Sequence, residues 1–255
     1  MSHSTFGFYD QAFLANLNRG FEPHGATFDG SSSYLYRYEA ISGVSNNQEI
    51  TASFWVTFNG GDDIEQNITS SYEKSLTSTD WTIQRLATNQ IRIFARDIYE
   101  NNILNVNTNS ELKTTNGRTH VCMRFHMGNY TYANIYFNGV SQPLTPVTFS
   151  TSVNVKWKAG GTGDNPRFRF GLHRNGGGLF NGKLEEFWWT NTYLFGNVVS
   201  KFSNGTNPIY LGDNGELPMG GTKPLIYLSR VGNGSLFGND SSSRNNNFAV
   251  SGILT

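Results

Sequence analysis

Strict alternation of apolar and polar residues constrains this chain more than any other feature. In residues 50–58, Ile50, Ala52, Phe54, Val56 and Phe58 alternate with Thr51, Ser53, Trp55 and Thr57. A helix would scatter such a set around its circumference, whereas a strand gathers it on one face. The pattern returns with Ile91, Ile93 and Ala95 opposite Arg92, Phe94 and Arg96. It continues with Val121, Met123, Phe125 and Met127, and then with Ala133, Ile135 and Phe137 before an Asn138-Gly139 pair. Asn-Gly tolerates positive φ at both central positions of a tight hairpin turn. Phe168, Phe170 and Leu172 opposite Arg167 and Arg169 extend the series.

Only residues 10–20 and 195–205 carry a helical spacing, each ending at a glycine suited to a C-cap. Many strands with few helices between them predict two packed antiparallel sheets. The expectation is an all-β jelly-roll sandwich with short helices and extended terminal arms. Its predicted parts are an N-terminal arm (1–20), a sandwich (21–203) and a C-terminal extension (204–255) with two strands.

At 255 residues the chain can bury a large core without disulfides or metals. Lys plus Arg equals Asp plus Glu at 19 each, so no basic stripe exists to neutralise a run of phosphates and nucleic acid is not an expected partner. The N-terminal residues lack the basic and apolar regions of a signal peptide, and no window offers about twenty consecutive apolar residues. A soluble protein made in the cytoplasm, without membrane insertion, is expected. The single cysteine, Cys122, can form no internal disulfide and reads as a small, half-buried strand residue.

Four segments, in this order, resemble the concanavalin-A-like, laminin-G-like jelly-roll superfamily. They are ATFDGSSSYL (26–35), ITASFWVTF (50–58), RTHVCMRFHMGNYTYANIYFNGV (118–140) and FNGKLEEFWWTN (180–191). The C-terminal wording LGDNGELPMGGTKPLIYLS with FAVSGILT is similar to the ends of jelly-roll proteins encoded by tailed bacteriophages. That resemblance implies a non-enzymatic virion protein, a capsid decoration or a head- or tail-fibre component, assembled in the host cytoplasm. Its expected partners are other virion proteins, major capsid or tail proteins among them, and further copies of itself. Phe6, Phe8, Tyr9 and Phe13, set among small polar residues, would suit docking on such a partner, or would fold back on the chain's own sheet. The alternative is a lectin-like module that binds host cell-surface carbohydrate.

Glu185 and Glu186, beside Phe187, Trp188 and Trp189, raise the question of sugar cleavage. A glycosidase needs two carboxyls flanking one bond, and neighbours on a regular strand point to opposite faces. The glucanase branch of the superfamily spaces its acids as Glu-x-Asp-x-Glu, which this run lacks. No catalytic residue is therefore assigned. Leu184 and Phe187 are three apart, so a β-bulge at the two acids would let Leu184, Phe187 and Trp189 all face inward. The acids would then sit at a rim or pair with an arginine.

Asp62, Asp63 and Glu65 form a loop of hard oxygen donors open to calcium or to plain hydration. The five histidines form no zinc-ligand spacing, and the glycines of residues 173–180 lack the Lys-Ser/Thr of a phosphate loop. No metal or cofactor is assigned. Tyr72, Trp81 and Tyr99 near loops are candidates for stacking on sugar rings, or for sheet packing.

Overall fold

The computed structural model describes residues 21, 23–72, 79–158, 168–173, 176–229 and 234–255. Phe6, Phe8, Tyr9 and Phe13, the expected helix at 10–20 and Arg167 lie outside them. The chain forms two antiparallel sheets. The first comprises β1 (Gly25–Asp29), β3 (Glu49–Phe58), β8 (Thr119–His126), β9 (Asn134–Phe137), β10 (Val140–Ser141), β13 (Asn181–Thr190) and β14 (Ile226–Leu228). The second comprises β2 (Tyr34–Arg37), β4 (Gln66–Tyr72), β5 (Thr79–Arg85), β6 (Gln90–Arg96), β7 (Asn102–Glu111), β11 (Leu144–Phe149), β12 (Phe168–Phe170) and β15 (Ala249–Ser251).

Strand order is β1-β13-β3-β8-β9-β10 in the first sheet and β11-β7-β6-β5-β4-β12-β2-β15 in the second. One edge of β13 is shared by two short strands: β1 pairs with residues 181–185 and β14 with residues 187–189. The opposite edge runs along β3.

Inward residues of both sheets meet in one core that includes Phe54, Ile83, Ile93, Phe125, Phe170 and Phe187. Its aromatic centre is a stack of Trp81 on Trp189, with ring centroids 5.4 Å apart and planes within 3°, closed edge-on by Trp157. Such ring contacts add to the area the rings bury. The Asn138-Gly139 pair turns β9 into β10 with φ of 47° and 83°, the left-handed geometry expected of it.

The Phe-Asp-Gly segment owes its form to Asp29, whose carboxylate accepts from the backbone N–H groups of Ser31, Ser32 and Ser33. The hydroxyls of Ser32 and Ser33 also donate to it. These bonds hold the Asp29 carboxyl far below its ordinary range despite the opposing effect of desolvation.

Helix is scarcer than expected. Residues 195–205 form only a 3-10 turn, Val199–Lys201, with Val198 and Phe202 as its inward anchors. Gly196, Asn197 and two adjacent β-branched valines disfavour a longer α-helix there.

The outer side of the first sheet carries a second apolar cluster. Cys122, Trp188 and Tyr227 project from β8, β13 and β14 and are covered by Leu194, Val198, Phe202 and Leu211. Cys122 is fully buried there rather than half-buried, because the segment after β13 folds back over it. Among the described residues, no helix is long and apolar enough to cross a membrane.

Candidate functional site

The expected bulge in β13 is present. Glu185 pairs with Trp55 and Trp188 with Ser53, so Glu186 and Phe187 together oppose Phe54. The extra residue is Glu186, held at φ 50°. Leu184, Phe187 and Trp189 all reach the core, as the spacing predicted.

Its consequence for the acids corrects the sequence-based expectation. With two residues between inward Leu184 and inward Phe187, both carboxylates leave on the outer side of the sheet instead of on opposite faces. Neither sits at a rim, for each residue is only 3% exposed, while Glu185 does pair with an arginine, the other outcome expected of a bulge here.

Glu185 is clamped between two cations, accepting from Arg118 Nε at 2.8 Å and from Lys183 Nζ at 2.8 Å. Glu186 accepts from the Tyr227 hydroxyl at 2.7 Å, the Ser229 hydroxyl at 2.8 Å and the His24 backbone N–H at 2.8 Å. Burial nonetheless raises the Glu186 carboxyl above its ordinary value, and the nearby Glu185 adds to the rise.

A cleft of about 610 Å³ opens beside Glu185, lined by Thr57, Arg118, Lys183, Asn204 and Asn207 with Phe21, Pro23 and Pro208. Glu186 does not line it, so the two carboxyls do not face one space as a cutting pair must.

Ser53 Oγ lies 2.8 Å from His120 Nε2, which resembles half of a nucleophilic dyad. Both residues are buried, the imidazole stacks on Trp55 at 5.0 Å, and neither lines the cleft. Burial pushes His120 down to about 3, so it is a neutral packing group at neutral pH.

The outer face of the second sheet is different in kind. Register places Gln84, Arg92 and Asn107 in one row across β5, β6 and β7, and Thr82, Phe94 and Asn105 in the next. Arg92 and Arg96 hold their guanidinium carbons 5.8 Å and 5.3 Å from the Phe94 ring centre. Four enclosed polar atoms here have no hydrogen-bond partner among the described residues: Gln84 Nε2, Arg92 Nε, Asn105 Oδ1 and Asn107 Oδ1. They lie together in two neighbouring rows of one face, which groups hydrogen-bonding capacity that the described residues leave unused.

No family model matches the sequence, and no curated protein matches it. Among solved structures, the fold is similar to a protein from Bacteroides ovatus assigned provisionally to carbohydrate binding. That match has 13% identity and a TM-score of 0.56 over 91% of this chain and 58% of the other. The chain therefore spans less than two thirds of that protein. The fold is also similar to a native heptameric SAP-like pentraxin from Limulus polyphemus, at 13% identity and a TM-score of 0.50, over 72% of this chain and 84% of the pentraxin. At such identities the likeness establishes the architecture, a jelly-roll sandwich of two antiparallel sheets, and nothing finer.

The remaining sequence candidates separate cleanly. Tyr72 and Trp81 are buried in the sheets and unavailable for stacking on a sugar, while Tyr99 is 79% exposed at the β6–β7 turn. Asp62 is engaged by Arg85 at 2.9 Å and by the backbone N–H and hydroxyl of Thr114. Asp63 accepts from Asn89 Nδ2. Among the described residues no three His, Cys, Asp or Glu side chains converge as a metal would require.

Sequence reasoning missed the polar face. The signal was present in the outward positions of the alternating runs, where Arg92, Asn105 and Asn107 recur in place of the Thr and Ser found at the outward positions of β3.

Proposed function

We propose that this protein is a non-enzymatic, lectin-like binding module whose outer second-sheet face recognises a glycan. The carrying observation is the set of four unpartnered polar atoms on Gln84, Arg92, Asn105 and Asn107 around Phe94. Saccharides present closely spaced hydroxyls that both donate and accept, together with apolar ring faces. Amide and guanidinium groups around one aromatic ring complement both features.

The likeness to a protein provisionally assigned to carbohydrate binding supports the same reading. So does the state of the two glutamates, which are held in structural contacts and do not share a cleft. Of the two sequence-based readings, the glycan-binding one is carried forward because the unpartnered amide and guanidinium groups on this face suit a ligand rich in hydroxyls. The virion reading rests on C-terminal wording alone.

A glycan array, followed by calorimetric titration of its hits, tests the proposal. Phe94→Ala and the Asn105→Ala/Asn107→Ala pair are expected to weaken binding at least about tenfold, since a few central side chains carry most of the affinity, with an unchanged circular dichroism spectrum. Full affinity in folded variants would remove this face from consideration.

A further inference from the structure

The cleft beside Glu185 lies on the other sheet from the polar face, and its charges do not cancel. Each oxygen of the Glu185 carboxylate takes one cation, Oε2 from Arg118 and Oε1 from Lys183. Two positive groups therefore share one negative group. The other described residues lining the cleft, Phe21, Pro23, Thr57, Asn204, Asn207 and Pro208, are uncharged.

Exposure is divided unevenly within the trio. The Glu185 side chain is 4% exposed, whereas those of Arg118 and Lys183 are 32% and 43% exposed. The anion is thus covered and the cations meet the solvent in the cleft. Among the described residues both retain unused donors: the Arg118 guanidinium donates to Glu185 through Nε, and its Nη2 has no partner there. Among the described residues the Lys183 ammonium bonds to Glu185 alone. The guanidinium is also fixed in place, lying 4.5 Å from the ring centre of Trp55, so little ordering remains to be done on binding.

We propose that this cleft is a second binding site, for a saccharide that bears a carboxylate. The net positive floor selects a single negative charge. Asn204, Asn207 and Thr57 supply hydrogen bonds for neighbouring hydroxyls, and Phe21 with the two prolines supplies an apolar wall for a ring face. A volume of about 610 Å³ lies within the range of small-ligand sites. An inorganic anion would use the cations and leave the amides and the apolar wall idle.

The full chain is titrated with galacturonic and glucuronic acid disaccharides, with the same disaccharides reduced at the carboxyl, and with inorganic phosphate. Binding is read by calorimetry and by the fluorescence of Trp55 beneath Arg118. The acidic disaccharides are expected to bind, to weaken as salt rises, and to lose at least about tenfold in affinity in Lys183→Met and Arg118→Gln. Lys183 is the more exposed of the two cations, so Lys183→Met keeps the test valid if Arg118→Gln does not fold.

The Asn105→Ala/Asn107→Ala pair is expected to leave this binding unchanged, which separates the cleft from the glycan-binding face. Equal affinity for the carboxyl-reduced sugars, no binding of either acid, or phosphate bound as tightly as the disaccharides would each overturn the proposal.

Discussion

Glu186 combines three conditions that a strand residue rarely meets at once: a left-handed backbone, almost complete burial and an acid function. Three donors surround its carboxyl, and removing it strands the Tyr227 hydroxyl in the interior. Glu186→Ala is therefore expected to cost about 2–4 kcal/mol in urea unfolding. Glu186→Gln keeps an acceptor and costs less. Because burial raises this carboxyl, its contribution is complete below the unfolded value near 4.5 and is lost as pH rises through the folded value. His120 acts in the opposite direction. Its folded value of about 3 lies below the ordinary 6.5, so its contribution is complete above 6.5 and falls by up to about 1.4 kcal/mol per pH unit as pH drops toward 3. Unfolding free energies from pH 3 to 8 should show an acid limb that His120→Gln flattens and a loss at higher pH that Glu186→Gln relieves. A wild-type profile unchanged by both variants would contradict these assignments.

At the scale of the element, β13 shows what a strand's own sequence discloses. The three-residue spacing of Leu184 and Phe187 disclosed the bulge, and alternation placed Phe54, Ile93 and Phe170 inward, because a pleat leaves a residue only two faces to choose between. The sharing of one β13 edge by β1 and β14 was not disclosed, since it depends on partners far off in the chain on both sides, Gly25–Asp29 and Ile226–Leu228. A hint lay in three consecutive large apolar residues, Phe187, Trp188 and Trp189: a strand buried on both faces has no polar side to show. Close approach to β3 fixes a further residue. A Cβ at Gly182 would collide with the Thr57 carbonyl oxygen and press on the Phe180 ring. Gly182→Ala should therefore destabilise by about 3 kcal/mol or more, at the upper end of overpacking costs because one obstacle is backbone. A melting temperature within a degree or two of wild type would show that the two strands can separate freely.

The whole molecule is a sandwich with a third, partial layer, and that layer was the least legible part. Period-two patterning announces faces within a sheet but cannot say which outward face a distant loop will cover, so Cys122 reads as more open than it is. The layer is also thinner than the core it overlies. Leu194, Val198, Phe202 and Leu211 hold it down, each worth about 1.5–3 kcal/mol when fully buried, whereas dozens of side chains fill the space between the sheets. Opening the cover should cost less than opening the sandwich, which is the condition for local unfolding below the global transition. Cys122 reports on it directly, because its thiol is buried in the cluster that this layer covers and burial pushes it up to about 12. In native buffer at pH 8 a thiol reagent should fail to label it. Labelling should begin at urea concentrations below the midpoint read from the stacked Trp81 and Trp189, and Phe202→Ala should widen that gap. Labelling that coincides with the tryptophan transition in both proteins would instead make the cover and the sandwich one cooperative unit.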